Sequence, residues 1–175
     1  MASQGDVHVV FGAAALGQAI MRQLVARGRP VRMVSRGGKL EVPAGVEVVR
    51  ADASDPAAAS KAAEGAAVLY HTAAPDYTRW AELYPPIQRG VMAAAETSGA
   101  RLVSAESVYA YGPVAGPMTE DLPYVASTRK GRLRAEMSNM LLEAHAAGKL
   151  RAAIARAPDF YGPLATTTTI YGERV

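Results

Sequence analysis

"VVFGAAALGQAI", residues 9–20, begins as a strand and ends as a helix. Val7–Phe11 is a short β-branched run. Leu16, Ile20 and Leu24 then recur at the four-residue spacing of a helix that stops at Gly28, ahead of Pro30. At the junction Gly12 and Gly17 stand five residues apart, with Ala14 at the middle position of a G-x-G-x-x-G pattern and Ala15 one further on. Small residues there permit a tight turn, a close backbone approach, and a helix whose first amides point at an anion. They also serve simply to pack a helix onto a strand.

The alternation continues outward. Further strand candidates are VRMV (31–34), VEVVR (46–50), AVLYH (67–71), RLVS (101–104) and RAAIAR (151–156). They are short and nearly continuous in apolar character, as expected of strands covered on both faces. Asp55-Pro56 opens an Ala-rich helix that ends at Gly65, and its low-complexity stretch 57–63 reads as a small-residue face against a sheet. A longer helix covers roughly 80–98, where Pro85-Pro86 is expected to interrupt it or fix its start, and another runs from about 127 to 147 and stops at Gly148. Strands separated by crossover helices predict an α/β chain: a Rossmann-type, doubly wound parallel sheet with helices on both faces. Residues 1–163 are read as this domain and 164–175 as a short C-terminal tail.

Composition narrows the function. A chain of 175 residues, 50% hydrophobic and 20% charged, suits one soluble domain with a real core. The net charge is +3, and the 15 Arg among 19 cations are scattered, so no concentrated basic face for nucleic acid is expected. The absence of Cys excludes disulfides, thiolate metal sites and Cys nucleophiles, and His8, His71 and His145 lie too far apart in sequence to favour a metal site. The uncharged run Val7–Met21 lacks a positive lead-in and is too short to span a bilayer, so no membrane association and a cytoplasmic location are expected.

If the glycine turn cradles a dinucleotide pyrophosphate, Gly12, Ala14, Ala15, Leu16 and Gly17 form that cradle. The second strand then ends in Ser35-Arg36, where a ribose-binding carboxylate would select NAD. A hydroxyl and a guanidinium suit a 2′-phosphate better, which favours NADP with NAD as the alternative. The rival reading makes Arg36 a solvated turn residue beside Gly37-Gly38. Asp52, followed by Ala53 after the third strand, faces the adenine edge in such a fold. Its rival role is to cap the helix at Pro56, a position Asp55 fits better.

These residues resemble the NAD(P)-dependent epimerase/dehydratase family, the extended branch of the short-chain dehydrogenase/reductases. GAAALG (12–17) is similar to its glycine turn and ADASD (51–55) to its adenine-side segment. LYHTAA (69–74) resembles its fourth-strand motif, which places His71, Thr72 and Ala73 along the cofactor wall. SVYAYG (107–112), TED (119–121) and RAPDFYGP (156–163) match later motifs in order. The resemblance implies an oxidoreductase or epimerase acting on a hydroxyl or carbonyl of a small-molecule substrate. It also implies that a Ser orients the substrate oxygen, while a Tyr moves the proton beside a Lys four residues later.

Ser107 matches the serine. None of the eight Tyr has Lys four residues on. Counted back from Glu136, the Tyr position holds Thr128 and the Lys position holds Arg132, while Tyr124 lies one helical turn earlier. Ser107, Tyr124, Thr128 and Arg132 are therefore the catalytic candidates, with Lys130 and Tyr109 as conceivable substitutes. Alternatively Arg129, Lys130, Arg132 and Arg134 form the solvated face of a helix. In the resembled family a substrate lobe follows YGP, whereas LATTTTIYGERV follows it here, so the chain is either a fragment of a longer protein or a natural short form. A pocket built from it alone is expected to be open on one side, with apolar surface that favours association with itself, as a homo-oligomer, or with a partner. The competing function is a non-catalytic NADP(H)-binding sensor or regulatory module lacking the Tyr–Lys pair.

Overall fold

Six parallel strands in the order β3-β2-β1-β4-β5-β6 form one sheet in the computed structural model, which describes residues 6–162, 164 and 165. The strands are β1 (Val7–Phe11), β2 (Val31–Ser35), β3 (Glu47–Arg50), β4 (Ala66–His71), β5 (Arg101–Ser107) and β6 (Arg151–Ala157). The helices are α1 (Ala15–Ala26), α2 (Pro56–Ala62), α3 (Trp80–Ser98) and α4 (Arg129–Ala146). Strand order reverses direction between β1 and β4, so their carboxyl ends open the crevice where such sheets take ligands. Apart from Leu164 and Ala165, the 164–175 tail lies outside the described residues.

The two faces are unequally covered. Val9, Phe11 and Leu69 pack with α2, α3 and α4 in the larger core. Val10 and Met33 pack with Met21 and Leu24 of α1, and with Leu40, Val42 and Val46 from the β2–β3 connection. On α1 the fully buried face is Gly17, Met21 and Leu24, while Leu16 and Ile20 of the expected stripe are only half-buried.

The β2–β3 connection holds no helix, because Gly37, Gly38, Pro43 and Gly45 deny residues 36–46 a helical path. Two expectations are corrected. The strands are not all covered on both sides: β1 and β2 have buried runs, whereas β5 and β6 alternate. Finally, Pro85 and Pro86 neither start nor break α3, although each lacks an amide donor. The first turn is held instead by an aromatic stack, with Trp80 5.3 Å from Tyr84 and 4.9 Å from Tyr77, and by the Arg79–Glu82 ion pair at 2.6 Å.

Candidate functional site

The β1–α1 turn is built by removal of side chains. Gly12 has φ +113°, and a Cβ there would lie 2.6 Å from the Ala73 amide nitrogen. A Cβ on Gly17 would lie 2.1 Å from the Gly12 carbonyl oxygen, so α1 approaches the turn as closely as backbone allows. Thr72 closes the other side: its hydroxyl donates to the Phe11 carbonyl at 3.0 Å, and its amide donates to the same oxygen at 2.8 Å. Asp55 caps α2 and Thr128 caps α4, but α1 has neither a side-chain cap nor an acidic residue in its first turn. Its amides and the positive end of its dipole are left for an anion.

Beside this turn opens a cavity of about 380 Å³, lined by Gly12–Ala14, Val34–Gly37, Ala51–Ala53, Thr72–Ala74 and Ile87. It brings together Gly12, Ala14, Ser35, Arg36, Asp52, Ala53, Thr72 and Ala73 from the sequence reading. Ala15, Leu16 and Gly17, in the first turn of α1, lie outside the lining, and His71 is buried with its ring against Tyr84, 6.4 Å between centroids. Ala13, Val34, Gly37, Ala51, Ala74 and Ile87 were missed; the first five adjoin assigned positions, and Ile87 arrives from a separate helix with no motif to mark it.

The polar groups are placed by short-range bonds. Ser35 Oγ accepts from the Gly38 amide at 3.1 Å, which shapes the turn carrying Arg36. Asp52 accepts from the Ser54 amide at 2.9 Å and from its hydroxyl at 2.7 Å. These bonds, together with the charge of Arg36, hold its carboxyl below the usual range. Asp55, as the sequence indicated, is the cap of α2, accepting from Ala57 at 2.9 Å.

A second set of candidates gathers at the ends of β5 and β6. Ser107 Oγ accepts from the Tyr109 amide at 3.4 Å. Arg156 donates to the Ser107 carbonyl at 3.1 Å, to Ser138 Oγ at 3.1 Å, and to the Tyr124 hydroxyl. One guanidinium thus ties Tyr124 to Ser107, a role for Arg156 that its place in the RAPDFYGP motif marked only as family likeness. Thr128 is spent on the α4 cap, accepting from Gly131 at 3.0 Å. Arg132 is exposed and turns back to the Ser127 carbonyl. Lys130 sits 2.7 Å from the centroid of the Tyr77 ring.

Under this edge lies a buried polar cluster. Glu106 and Arg134 form an ion pair with side chains 1% and 2% exposed. Ser104 donates to Glu106 at 3.2 Å, and the Arg134 guanidinium stacks 4.4 Å from the Tyr84 ring centroid. Arg134 therefore belongs to the interior and not to a solvated helix face. His71 is 2% exposed, and neither ring nitrogen has a hydrogen-bond partner among the described residues. Burial, assisted by the charge of Arg134, lowers its pKa to about 4. Because the folded value lies below the unfolded one, stability is fully present above about pH 6.5 and is lost as pH falls toward 4. The expected loss is roughly 3 kcal/mol at 1.36 kcal/mol per unit. Denaturation of wild type and His71→Leu between pH 7 and 4.5 checks this: the variant should lose most of the slope, and parallel curves would refute it.

Among the described residues no group of three or more His, Cys, Asp or Glu is placed to hold a metal ion. No helix among them is long and apolar enough to cross a membrane.

A parallel sheet with a glycine-cradled cavity at its switch point defines a dinucleotide-binding type of domain. Residues 8–174 match the NAD dependent epimerase/dehydratase family, and the chain belongs to it. Solved structures agree on the fold. A Thermus thermophilus UDP-glucose 4-epimerase complex with NAD superposes with TM-score 0.78 at 22% identity, over 95% of this chain and 58% of that one. MoeE5 in complex with UDP-glucose and NAD gives 0.75 at 24% identity, over 91% and 56%. A UDP-galactose 4-epimerase gives 0.78 at 22%, over 90% and 57%. The chain thus spans somewhat more than half the length of these proteins. No curated protein matches it significantly.

Proposed function

We propose that this chain is the nucleotide-binding part of an NADP(H)-using oxidoreductase or epimerase acting on a hydroxyl or carbonyl of a small-molecule substrate. The observation that carries the reading is the cavity joining the Gly12–Ala14 turn, Ser35, Arg36 and Asp52. Both requirements of a dinucleotide are met: a cradle that any Cβ would fill, and an uncapped helix start facing it. The pyrophosphate is held by the Gly12–Gly17 turn, the adenine edge by Asp52 and Ala53, and a 2′-phosphate by Ser35 and Arg36. NAD is the alternative, the dinucleotide in the solved MoeE5 and Thermus thermophilus complexes. When bound, the nicotinamide supplies or accepts the hydride.

The chain's own part is orientation and proton transfer. Ser107 orients the substrate oxygen from the end of β5. Tyr124 exchanges the proton, with Arg156 placing a fixed positive charge on its hydroxyl where the family pattern would use Lys. Thr128 fixes the start of α4, and Arg132 adds a fixed positive charge at that turn. The engagement of the Tyr124 hydroxyl by Arg156 also favours a second reading, a non-catalytic NADP(H)-binding module.

One experiment separates the two. With turnover followed by NADPH absorbance across a carbonyl panel, Tyr124→Phe and Arg156→Leu should each lower kcat by about 100-fold, the lower range for a positioned acid or base. NADPH affinity should stay within about 3-fold, since neither residue lines the cavity. NADPH binding with no turnover of any substrate by wild type would leave the binding-module reading in place.

A further inference from the structure

We infer that Arg50, on the edge strand β3, is a second specificity-determining residue for the 2′-phosphate; the inference rests on the NADP(H) reading above. No sequence motif points to it. Its position in the sheet does: Arg50 is the register partner of Ser35, so the two side chains leave the same face where β2 and β3 end side by side.

Two contacts then direct the Arg50 side chain along the turn that carries Arg36. Its Nε donates to the Arg36 carbonyl at 3.2 Å. Its stem runs against Gly38, where a Cβ would lie 2.8 Å from the Arg50 Cβ and 3.2 Å from its Cγ. Gly38 has φ +66°, a left-handed conformation that favours glycine, and its amide is held by Ser35 Oγ at 3.1 Å. The turn is thus folded around the arginine stem, and its single anchored nitrogen leaves Nη1 and Nη2 with no hydrogen bond to a described residue. The Arg36 guanidinium likewise makes none.

The surrounding charges leave this arrangement short of an anion. Arg36, Arg50 and Lys39 are exposed around the turn; the carboxylates near them in sequence are Glu41, exposed further along the connection, and Asp52, which interacts with Arg36, so cations remain in excess. Glu47, at the other end of β3, is already paired with Arg32 at 2.6 Å. A phosphate monoester dianion answers that excess, because two guanidiniums can each present parallel N–H donors to its oxygens. A ribose diol offers no charge to either, so the contribution of Arg50 falls on NADP(H) and not on NAD(H).

The test measures NADPH and NADH dissociation constants by calorimetry for wild type, Arg36→Met, Arg50→Met and Arg50→Lys, with thermal midpoints as a folding control. Arg50→Met is expected to weaken NADPH by about 10- to 30-fold with NADH changed less than 2-fold, the range of one or two charge-assisted bonds. Arg50→Lys, which keeps charge but loses the Nε anchor, should fall between wild type and Arg50→Met. An equal loss for both dinucleotides would assign Arg50 a structural role and overturn the inference. So would a selective loss in Arg36→Met with none in Arg50→Met, which leaves the NADP(H) reading standing. A wild type that binds NADH more tightly than NADPH, or binds neither, overturns the reading itself and this inference with it.

Discussion

Replacing Gly17 with Ala should weaken dinucleotide binding by on the order of 100-fold, the scale of losing one or two hydrogen bonds to a charged group. The cause is a backbone collision. The added methyl carbon would sit 2.1 Å from the Gly12 carbonyl oxygen and 2.9 Å from Thr72 Oγ1. The first obstacle is main chain, so no rotamer change relieves it, and α1 must move away from the turn by about the deficit to an ordinary contact. That motion carries the uncapped first-turn amides away from the pyrophosphate position, while Arg36 and Asp52 on other connections stay put. Overpacking of this kind should also cost about 1–3 kcal/mol of stability. Calorimetric titration with NADPH and a thermal melt check both effects, with Gly116→Ala as control because nothing lies within 4 Å of its added carbon. Undiminished affinity in Gly17→Ala would show that α1 does not form the cradle.

This collision explains why the nucleotide end of the molecule was legible in the sequence. Gly12 and Gly17 act through the size of a side chain at a fixed spacing, and residue type at that spacing is what a sequence displays. The same holds for Asp55-Pro56, where a cap and a proline at the first helical turn name each other. The alternation of apolar runs and helical spacing gave six strands in place, since each periodicity is local. What failed were statements about balance between local and tertiary forces. Pro85 and Pro86 break helices by local rule, yet Tyr77, Trp80 and Tyr84 hold the turn before them. The absence of a helix between β2 and β3, by contrast, follows from Gly37-Gly38 and Pro43 by local rule alone.

The proton-transfer end was less legible because its contacts join residues far apart in sequence. Arg156 reaches Tyr124 across 32 positions and Ser107 across 49. A search for Lys four residues after Tyr cannot find a cation that arrives from another strand. Arg134 was equally hidden: within RKGRLRAEM its charge resembles that of its neighbours Arg132 and Lys130, and only its 2% exposure distinguishes it.

That buried arginine leads to the second large effect, a loss of stability of about 3–5 kcal/mol in Arg134→Met, the range for removing one partner of a buried ion pair. Glu106 would be left in the core with only Ser104, at 3.2 Å, as its hydrogen-bond partner. Burial already pushes its carboxyl pKa up, and the positive charge of Arg134 is the largest influence holding it down. At 2–4 °C per kcal/mol for a chain of this size, the melting midpoint should drop by about 10 °C. The companion variant Glu106→Leu/Arg134→Met removes both charges at similar volume and should return to within about 1 kcal/mol of wild type. The pair also has a positional consequence, because Glu106 adjoins Ser107 on β5 while Arg134 lies on α4 with Thr128 and Arg132. The double variant should therefore recover stability and bind NADPH as wild type does, since neither residue lines the cavity, yet show a lowered kcat, because the tie that sets α4 against the Ser107 backbone is gone. Thermal and urea denaturation of the three proteins decide the first point, and kinetics of the double variant decide the second. An Arg134→Met protein within 1 kcal/mol of wild type would mean that Glu106 is carried neutral in the core and that the guanidinium acts mainly through its stack on Tyr84.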